Sequence, residues 1–422
     1  MAEFLVDAGA CYADAIVSFP WIGVYDLLVH NARLYPCDPC AGNAEPAEAK
    51  SFTVRDGRIA ALGVADDAPV RERLDARGAI VLPGFVDCHT HLCYAGDRLE
   101  EHAARLAGAS YAKIAARGGG IRKTVADVTA ASEDKLVAQS LPRLAALAHE
   151  GATTVEVKSG YGLAPAQELK LLRAIRRLGE ASRVRIVPTF LALHALPADT
   201  SREKYLRMVI EETLPAVAEE KLADCVDVFC EHIAFTVEEM LAVFERAREL
   251  GLACRAHTDQ LRNLGATRAA ADFGVRSCDH LEYAQADDVE ALAAAGAVAV
   301  LLPGAFYFLR ERQAPPVEAL RAAGVPIAIA TDLNPGTSPI ASPLAALHLA
   351  CTLFRLTPDE ALLGLTCHAA AALGRSGEVG TLAVGARADF ALWDIPAPAF
   401  LACQLGGIAP RAIYIGGKRH DA

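Results

Sequence analysis

Hydrophobic and polar positions follow two regimes along this chain. Over the first eighty residues, short apolar runs at Tyr25 to Val29, Ser51 to Val54 and Arg58 to Gly63 are interrupted by polar positions, with Asp56-Gly57 as the turn between the last two. That pattern predicts antiparallel β structure. After Leu82-Pro83-Gly84, short apolar segments alternate with Ala/Leu/Glu/Arg stretches of helical period. The strand candidates are Phe85 to His91, Thr153 to Lys158, Val184 to Phe190, Val226 to Cys230, Leu252 to His257, Val275 to His280, Ala297 to Leu302 and Val325 to Thr331. Their near-continuous apolar character suits parallel strands covered on both faces, and stretches such as Pro165 to Gly179 and Val237 to Leu250 suit crossover helices. The fold class predicted is therefore α/β, a (β/α)8 TIM-like barrel.

The last fifty residues return to strand and turn, at Gly380-Thr381-Leu382, Ala388 to Trp393 and Ala412 to Ile415. They cannot extend the barrel, so they are expected to pair with the N-terminal strands in a small composite β domain. The division predicted is 1–82 for the N-terminal part of that domain, 83–373 for the barrel and 374–422 for the C-terminal part. The uncharged stretch from Ala291 to Leu309 approaches a membrane span in length but contains Pro303-Gly304. It reads as a helix end, a buried strand and a loop.

Composition narrows the class. With 53% hydrophobic and 22% charged residues, the 422-residue chain is globular, and its net charge of −11 has the wrong sign for a general nucleic-acid binder. The start, Met1-Ala2-Glu3, lacks a basic n-region, so the cytoplasm is the expected compartment and no membrane partner is expected. The twelve cysteines are scattered, several within apolar runs, which argues against a disulfide framework. Cys37 and Cys40 form a lone C-x-x-C that reads as a surface loop.

A barrel assembles its site at the C-terminal ends of its strands. There the chain carries His89-Thr90-His91, Lys158-Ser159-Gly160-Tyr161, His194, Glu231-His232, His257-Thr258-Asp259-Gln260, Asp279-His280 and Asp332-Leu333-Asn334. His89 and His91 are two apart on a strand and point to one face, where they can share an ion. Such a pair alone is ambiguous, because a strand histidine is often only structural. With His257 and Asp332 it becomes three imidazoles and a carboxylate, the mixed set that suits zinc or iron with a position left for water.

Pro83-Gly84-Phe85-Val86-Asp87-Cys88-His89-Thr90-His91 resembles the opening signature of the amidohydrolase superfamily of metal-dependent barrel hydrolases. Within it the chain is similar to the imidazolonepropionase family from the barrel onward. The resemblance is carried by Ala95-Gly96-Asp97-Arg98, Gly118-Gly119-Gly120-Ile121, the run from Glu156 to Leu163, the run from His257 to Leu261, Asp279-His280-Leu281-Glu282 and the run from Thr331 to Pro339. It implies hydrolysis of 4-imidazolone-5-propanoate to N-formimidoyl-L-glutamate in histidine degradation, with one zinc or iron ion per chain. It also implies a homodimer, a small-molecule substrate, and contact of Tyr161, His194, Gln260, Asn334, Gly336 and Thr337 with substrate or product. Another cyclic amidohydrolase or a deaminase on the same barrel is the alternative, and a non-catalytic barrel for a small anion is a third reading.

That substrate needs an activated water, a carbonyl polariser, a proton donor and a cation for its tail. A metal on His89, His91, His257 and Asp332 would bring the pKa of a bound water to about 7, so that hydroxide attacks the ring carbonyl. His280 and Asp332 are the candidate catalytic proton carriers. Arg98, seven residues beyond His91, offers a fork for the propionate. Tyr161, between two glycines, reads as a flexible cap over the ring. Lys158 is expected to pair with a carboxylate rather than bridge two metals, while Glu231 and His232 stay unassigned. Gly118-Gly119-Gly120 lacks phosphate-loop spacing. Gln260 stands where some family members carry Glu; an amide cannot transfer a proton, which shifts that work to His280. His102 replaces an expected aromatic, and residues 37–50 look like an insertion.

Overall fold

The computed structural model describes residues 24–38, 45–108 and 119–421. The expected strands form three sheets. β1 (Tyr25–His30), β3 (Phe52–Arg55) and β4 (Arg58–Leu62) pair antiparallel around the Asp56-Gly57 turn, as the alternation predicts. β5 (Val70–Asp75), too charged to read as a strand, joins β1 in parallel to complete that sheet.

The eight barrel strands are β7 (Phe85–Asp87), β8 (Ala152–Lys158), β9 (Arg185–Leu193), β10 (Cys225–Cys230), β11 (Ala253–Thr258), β12 (Ser277–His280), β13 (Val298–Leu301) and β14 (Ile327–Ile329). They pair in sequence order, every pair parallel, with helices such as Pro165–Glu180 and Val237–Glu249 crossing between them. Pro165 opens the first of these helices, and a Thr236/Glu239 capping box starts the second. Most apolar side chains of the strands and helices pack into one large core, and Val86, Val187, Val298, Val300 and Ala328 form a second cluster against the helix Cys367–Ala372.

The ring closes without a ladder between β7 and β14. Past the ends of those strands, Asp332 N donates to His89 O at 3.0 Å and His91 N to Leu333 O at 2.9 Å. Just before, the Asp87 carboxylate accepts from Thr331 N (3.1 Å) and Thr331 Oγ1 (2.6 Å). The seam thus holds His89-Thr90-His91 against Asp332-Leu333.

A third sheet mixes both ends of the chain. β15 (Phe390–Trp393) lies antiparallel to β6 (Ile80–Pro83), which pairs with β2 (Arg33–Leu34), while β16 (Ala412–Ile415) and β17 (Lys418–His420) extend the other side. The expected composite pairing is therefore present.

Three expectations need correction. Pro303 does not begin a loop: with its φ preset and no N–H to satisfy, it starts the helix Pro303–Leu309. Gly380-Thr381-Leu382 is not a strand, although Leu382 N and Thr381 Oγ1 both donate to Pro36 O. Cys37 is buried rather than on a surface loop, and burial pushes its thiol pKa up; Cys40 lies outside the described residues. No helix among the described residues is long and apolar enough to cross a membrane.

Candidate active site

Seam geometry and strand alternation bring the rim residues together. The ligand atoms of His89, His91 and Asp332 lie within 4.8 Å of one another, and those of His89, His257 and His280 do likewise. His89 Nε2 and His91 Nε2 stand 3.6 and 3.5 Å from Asp332 Oδ1. The His257 ring centroid is 4.4 Å from that of His89 and 5.6 Å from that of His91. All five side chains are buried.

A layer of charge lies beneath them, in which the roles of Asp227, Glu156 and Arg255 were not expected from the sequence. Asp279 Oδ2 meets His89 Nδ1 at 2.6 Å, and Asp227 Oδ1 meets His257 Nδ1 at 3.0 Å. Lys158 Nζ donates to Asp227 Oδ2 (2.7 Å) and Glu156 Oε1 (2.8 Å), and Arg255 Nη2 donates to Asp279 Oδ2 (2.9 Å). These residues sit two apart on their strands, Glu156 with Lys158 on β8 and Arg255 with His257 on β11, so each pair enters the barrel from the same face. The period-two charges in otherwise apolar strands were the available signal. Lys158 pairs with carboxylates as expected.

This layer fixes the tautomers. A carboxylate on each Nδ1 keeps the proton there and turns the Nε2 lone pair toward the rim. His89 Nε2 and His257 Nε2 are both buried without a hydrogen-bond partner among the described residues. Burial first, then the neighbouring positive charges, lowers the pKa of His89 and His91 well below the usual imidazole range, so both are neutral. Burial pushes the Asp332 carboxyl up to about 7, an environment that calls for a cation. Orphaned imidazole nitrogens beside a buried carboxyl fit a metal ion. The overlapping group Asp227, His257 and Asp279 does not, because the Lys158 ammonium already sits among those carboxylates.

His280 ends β12 with its backbone in the left-handed region, φ +85°, followed by Leu281 at +72°. Such conformations cost about 1–3 kcal/mol each and concentrate at working sites. Burial lowers the His280 pKa, but the Glu282 carboxylate 3.8 Å from Nδ1, aided by Asp332 and Asp279, outweighs it and holds the imidazolium above its ordinary range. His194 stacks on His91 at 5.4 Å, its Nδ1 bonded to Gly160 O, and burial lowers its pKa to about 4.

Tyr161 is buried 6.0 Å from the His91 ring and does not ride on a flexible loop. The Glu168 carboxylate accepts from Gly160 N, Gly162 N and Leu163 N, which pins the turn. A Cβ on Gly162 would stand 2.5 Å from Glu168 N. Gly162→Ala is expected to cost about 1–3 kcal/mol and to disturb Tyr161, measured as a lower thermal midpoint together with a raised KM. Glu231 does comparable work, accepting from His232 N, His232 Nδ1, Leu261 N and Arg262 N, and so shapes the loop that carries Gln260.

Arg98 is not a free fork. Its Nε and Nη2 donate to Glu101 at 2.6 and 2.9 Å, and Nη1 reaches Thr124 Oγ1 at 3.1 Å. The Nη1/Nη2 edge faces Gly336, where a Cβ would sit 3.6 Å from both nitrogens. Asn334 is occupied by its own loop: Oδ1 accepts from Gly336 N, Thr337 N and Thr337 Oγ1, and Nδ2 donates to Asp332 O. Through Oδ1 it holds Gly336 and Thr337 in place. His102 stacks on Phe308 at 5.1 Å, and Gly118 lies outside the described residues.

The profile of the amidohydrolase family matches residues 80–418. The chain is 52% identical over 385 residues to the imidazolonepropionase of Methylobacterium nodulans, covering 90% of this chain and 96% of that one. It is 49% identical over 384 residues to the imidazolonepropionase of Xanthomonas campestris pv. campestris, with the same shares covered. Among solved structures, an adenosine deaminase from Xanthomonas campestris with bound zinc is similar in fold, with a TM-score of 0.68 at 18% identity over 94% of this chain and 92% of that one.

Proposed function

The chain belongs to the amidohydrolase family, among the imidazolonepropionases, and we propose on that footing that it hydrolyses 4-imidazolone-5-propanoate to N-formimidoyl-L-glutamate. The observation that carries the reading is the convergence of His89, His91, His257 and Asp332 on one buried rim, with two imidazole Nε2 atoms lacking a hydrogen-bond partner among the described residues. These four residues would hold a single zinc or iron ion, which supplies Lewis acidity for the ring carbonyl and an activated water at neutral pH.

The remaining steps belong to the chain's own groups. Asp332, whose Oδ1 lies beside both imidazoles of the rim, takes up or orients the proton of the attacking water. His280, held cationic by Glu282, delivers a proton to the departing ring nitrogen as the C–N bond breaks. Arg98 binds the propionate through the Nη1/Nη2 edge that Gly336 leaves open. Tyr161 and His194 pack against the ring, Gln260 hydrogen-bonds it, and Thr337 and the Gly336 backbone line its tail. The reading extends to a homodimer in the cytoplasm, with light scattering as the check on the first.

The test is ultraviolet-monitored turnover of freshly generated substrate, with metal content measured on the same preparation. Turnover should accompany about one ion per chain, vanish on chelation and return with zinc or iron. Metal without turnover would move the substrate to another cyclic amide or an amine.

A further inference from the structure

The helix Leu99–Leu106 and the residue before it present Arg98, Glu101, His102 and Arg105 on one face, at spacings of three, four and seven. Glu101 takes two of the three Arg98 nitrogens and also accepts from Gly120 N at 2.8 Å. Burial raises the Glu101 pKa, but Arg98, the Gly120 amide and the charge of Arg105 more than offset it, so the carboxylate stays ionised. The guanidinium and carboxylate together carry no net charge. Taken alone, the Arg98–Glu101 pair is a poor attractor for a second carboxylate.

Arg105 changes that balance. Its Nη2 donates to Gly336 O at 2.8 Å, and its Nε is buried without a hydrogen-bond partner among the described residues. The guanidinium lies 5.0 Å over the Phe308 ring, on which His102 also stacks. Two guanidiniums against one carboxylate leave a single positive charge, which matches one propionate. Gly336, whose carbonyl Arg105 holds, is also the residue whose missing side chain opens the edge of Arg98.

We infer that Arg105 is a specificity-determining positioning residue of the carboxylate subsite, fixing the Gly336 backbone in front of Arg98 and restoring the positive charge that Glu101 cancels. The inference rests on the substrate proposed above. It concerns recognition of the tail and leaves the reacting carbonyl to the rim residues.

Holoenzyme of measured metal content would be compared as wild type, Arg105→Met, which keeps an apolar stem, and Arg105→Lys, which keeps the charge. Two competitive inhibitors serve as probes: imidazole-4-propanoate, which carries the tail, and 4-methylimidazole, which does not. Arg105→Met should raise KM and the inhibition constant of imidazole-4-propanoate together by about 10–100-fold, the range for a lost charged hydrogen bond. Its kcat and the 4-methylimidazole constant should hold within about 3-fold, and Arg105→Lys should recover part of the loss. Equal weakening of both inhibitors, or a fall in kcat at constant KM, would overturn the inference in favour of general support of the site. Should Arg105→Met fail to fold, the Lys variant decides alone: it must show a tail-selective loss smaller than about 10-fold, and wild-type affinity or an unselective loss refutes the inference. A wild type that neither turns over the substrate nor binds imidazole-4-propanoate refutes the proposed function and the subsite with it. Normal wild-type turnover with an unchanged Arg105→Met refutes the subsite alone.

Discussion

His280→Ala is expected to retain its metal and lose turnover by about 10²–10⁴-fold, whereas His257→Ala is expected to lose both. The two imidazoles lie 5.6 Å apart in the same buried cluster, yet their surroundings differ. Asp227 holds His257 Nδ1 at 3.0 Å, which commits Nε2 to the role of ligand, and the ring is neutral because burial dominates its pKa. His280 Nδ1 instead faces the Glu282 carboxylate at 3.8 Å, which favours the protonated ring. One histidine is thus prepared to donate a lone pair and the other a proton. Metal analysis of the purified variants together with single-turnover rates separates the roles. His280→Ala with wild-type turnover would remove it from proton transfer, and a metal-free His280→Ala would make it a ligand.

Lys158→Met should weaken both the fold and the metal site. Its ammonium is wholly buried between Glu156 and Asp227, and without it two carboxylates remain in the barrel interior with reduced compensation. Breaking a buried pair from one side costs about 3–5 kcal/mol. Because Asp227 also orients His257, metal affinity should drop by about 10–100-fold. In the wild type, Asp227 is held well below the usual carboxylate range against the opposing effect of burial, chiefly by His257 and Lys158. Removing Lys158 takes away one of the charges that hold Asp227 low, so the share of the deficit that arises from Asp227 is complete at neutral pH and should shrink as pH falls through the ordinary carboxylate range, about 4. Urea midpoints at neutral pH and at about pH 4, with zinc titrations at neutral pH, check both halves. A variant with wild-type midpoint and affinity would mean that Lys158 only fills space.

The barrel strands were legible because strands covered on both faces must be apolar over their whole length, and eight such runs punctuated by helical periods admit few arrangements. β5 was not, because Arg71, Glu72 and Arg73 face water at the edge of its sheet, where no burial pattern forms. At the rim, His89, His91, His257 and Asp332 could be read from their places at strand ends. The fork of Arg98 could be named but not its engagement, since only the folded helix turn brings Glu101 onto it. Asp227, Glu156 and Arg255 escaped because one charged residue inside an apolar run looks like noise until the strands close and the charges meet.

The seam between β7 and β14 gives the ion a second consequence, in the order and permanence of folding. Asp87 and Thr331, 244 positions apart, meet there through a few hydrogen bonds instead of a ladder. An ion shared by His89, His91 and Asp332 would act as a clip across that joint, closing the longest loop of the barrel. Loading with metal would then be the last event of assembly, and its loss would unlatch the ring at this joint before the rest of the wall gives way. Amide exchange at Asp332 and His91, whose N–H groups bridge the seam, would therefore report metal release sooner than any global probe of unfolding.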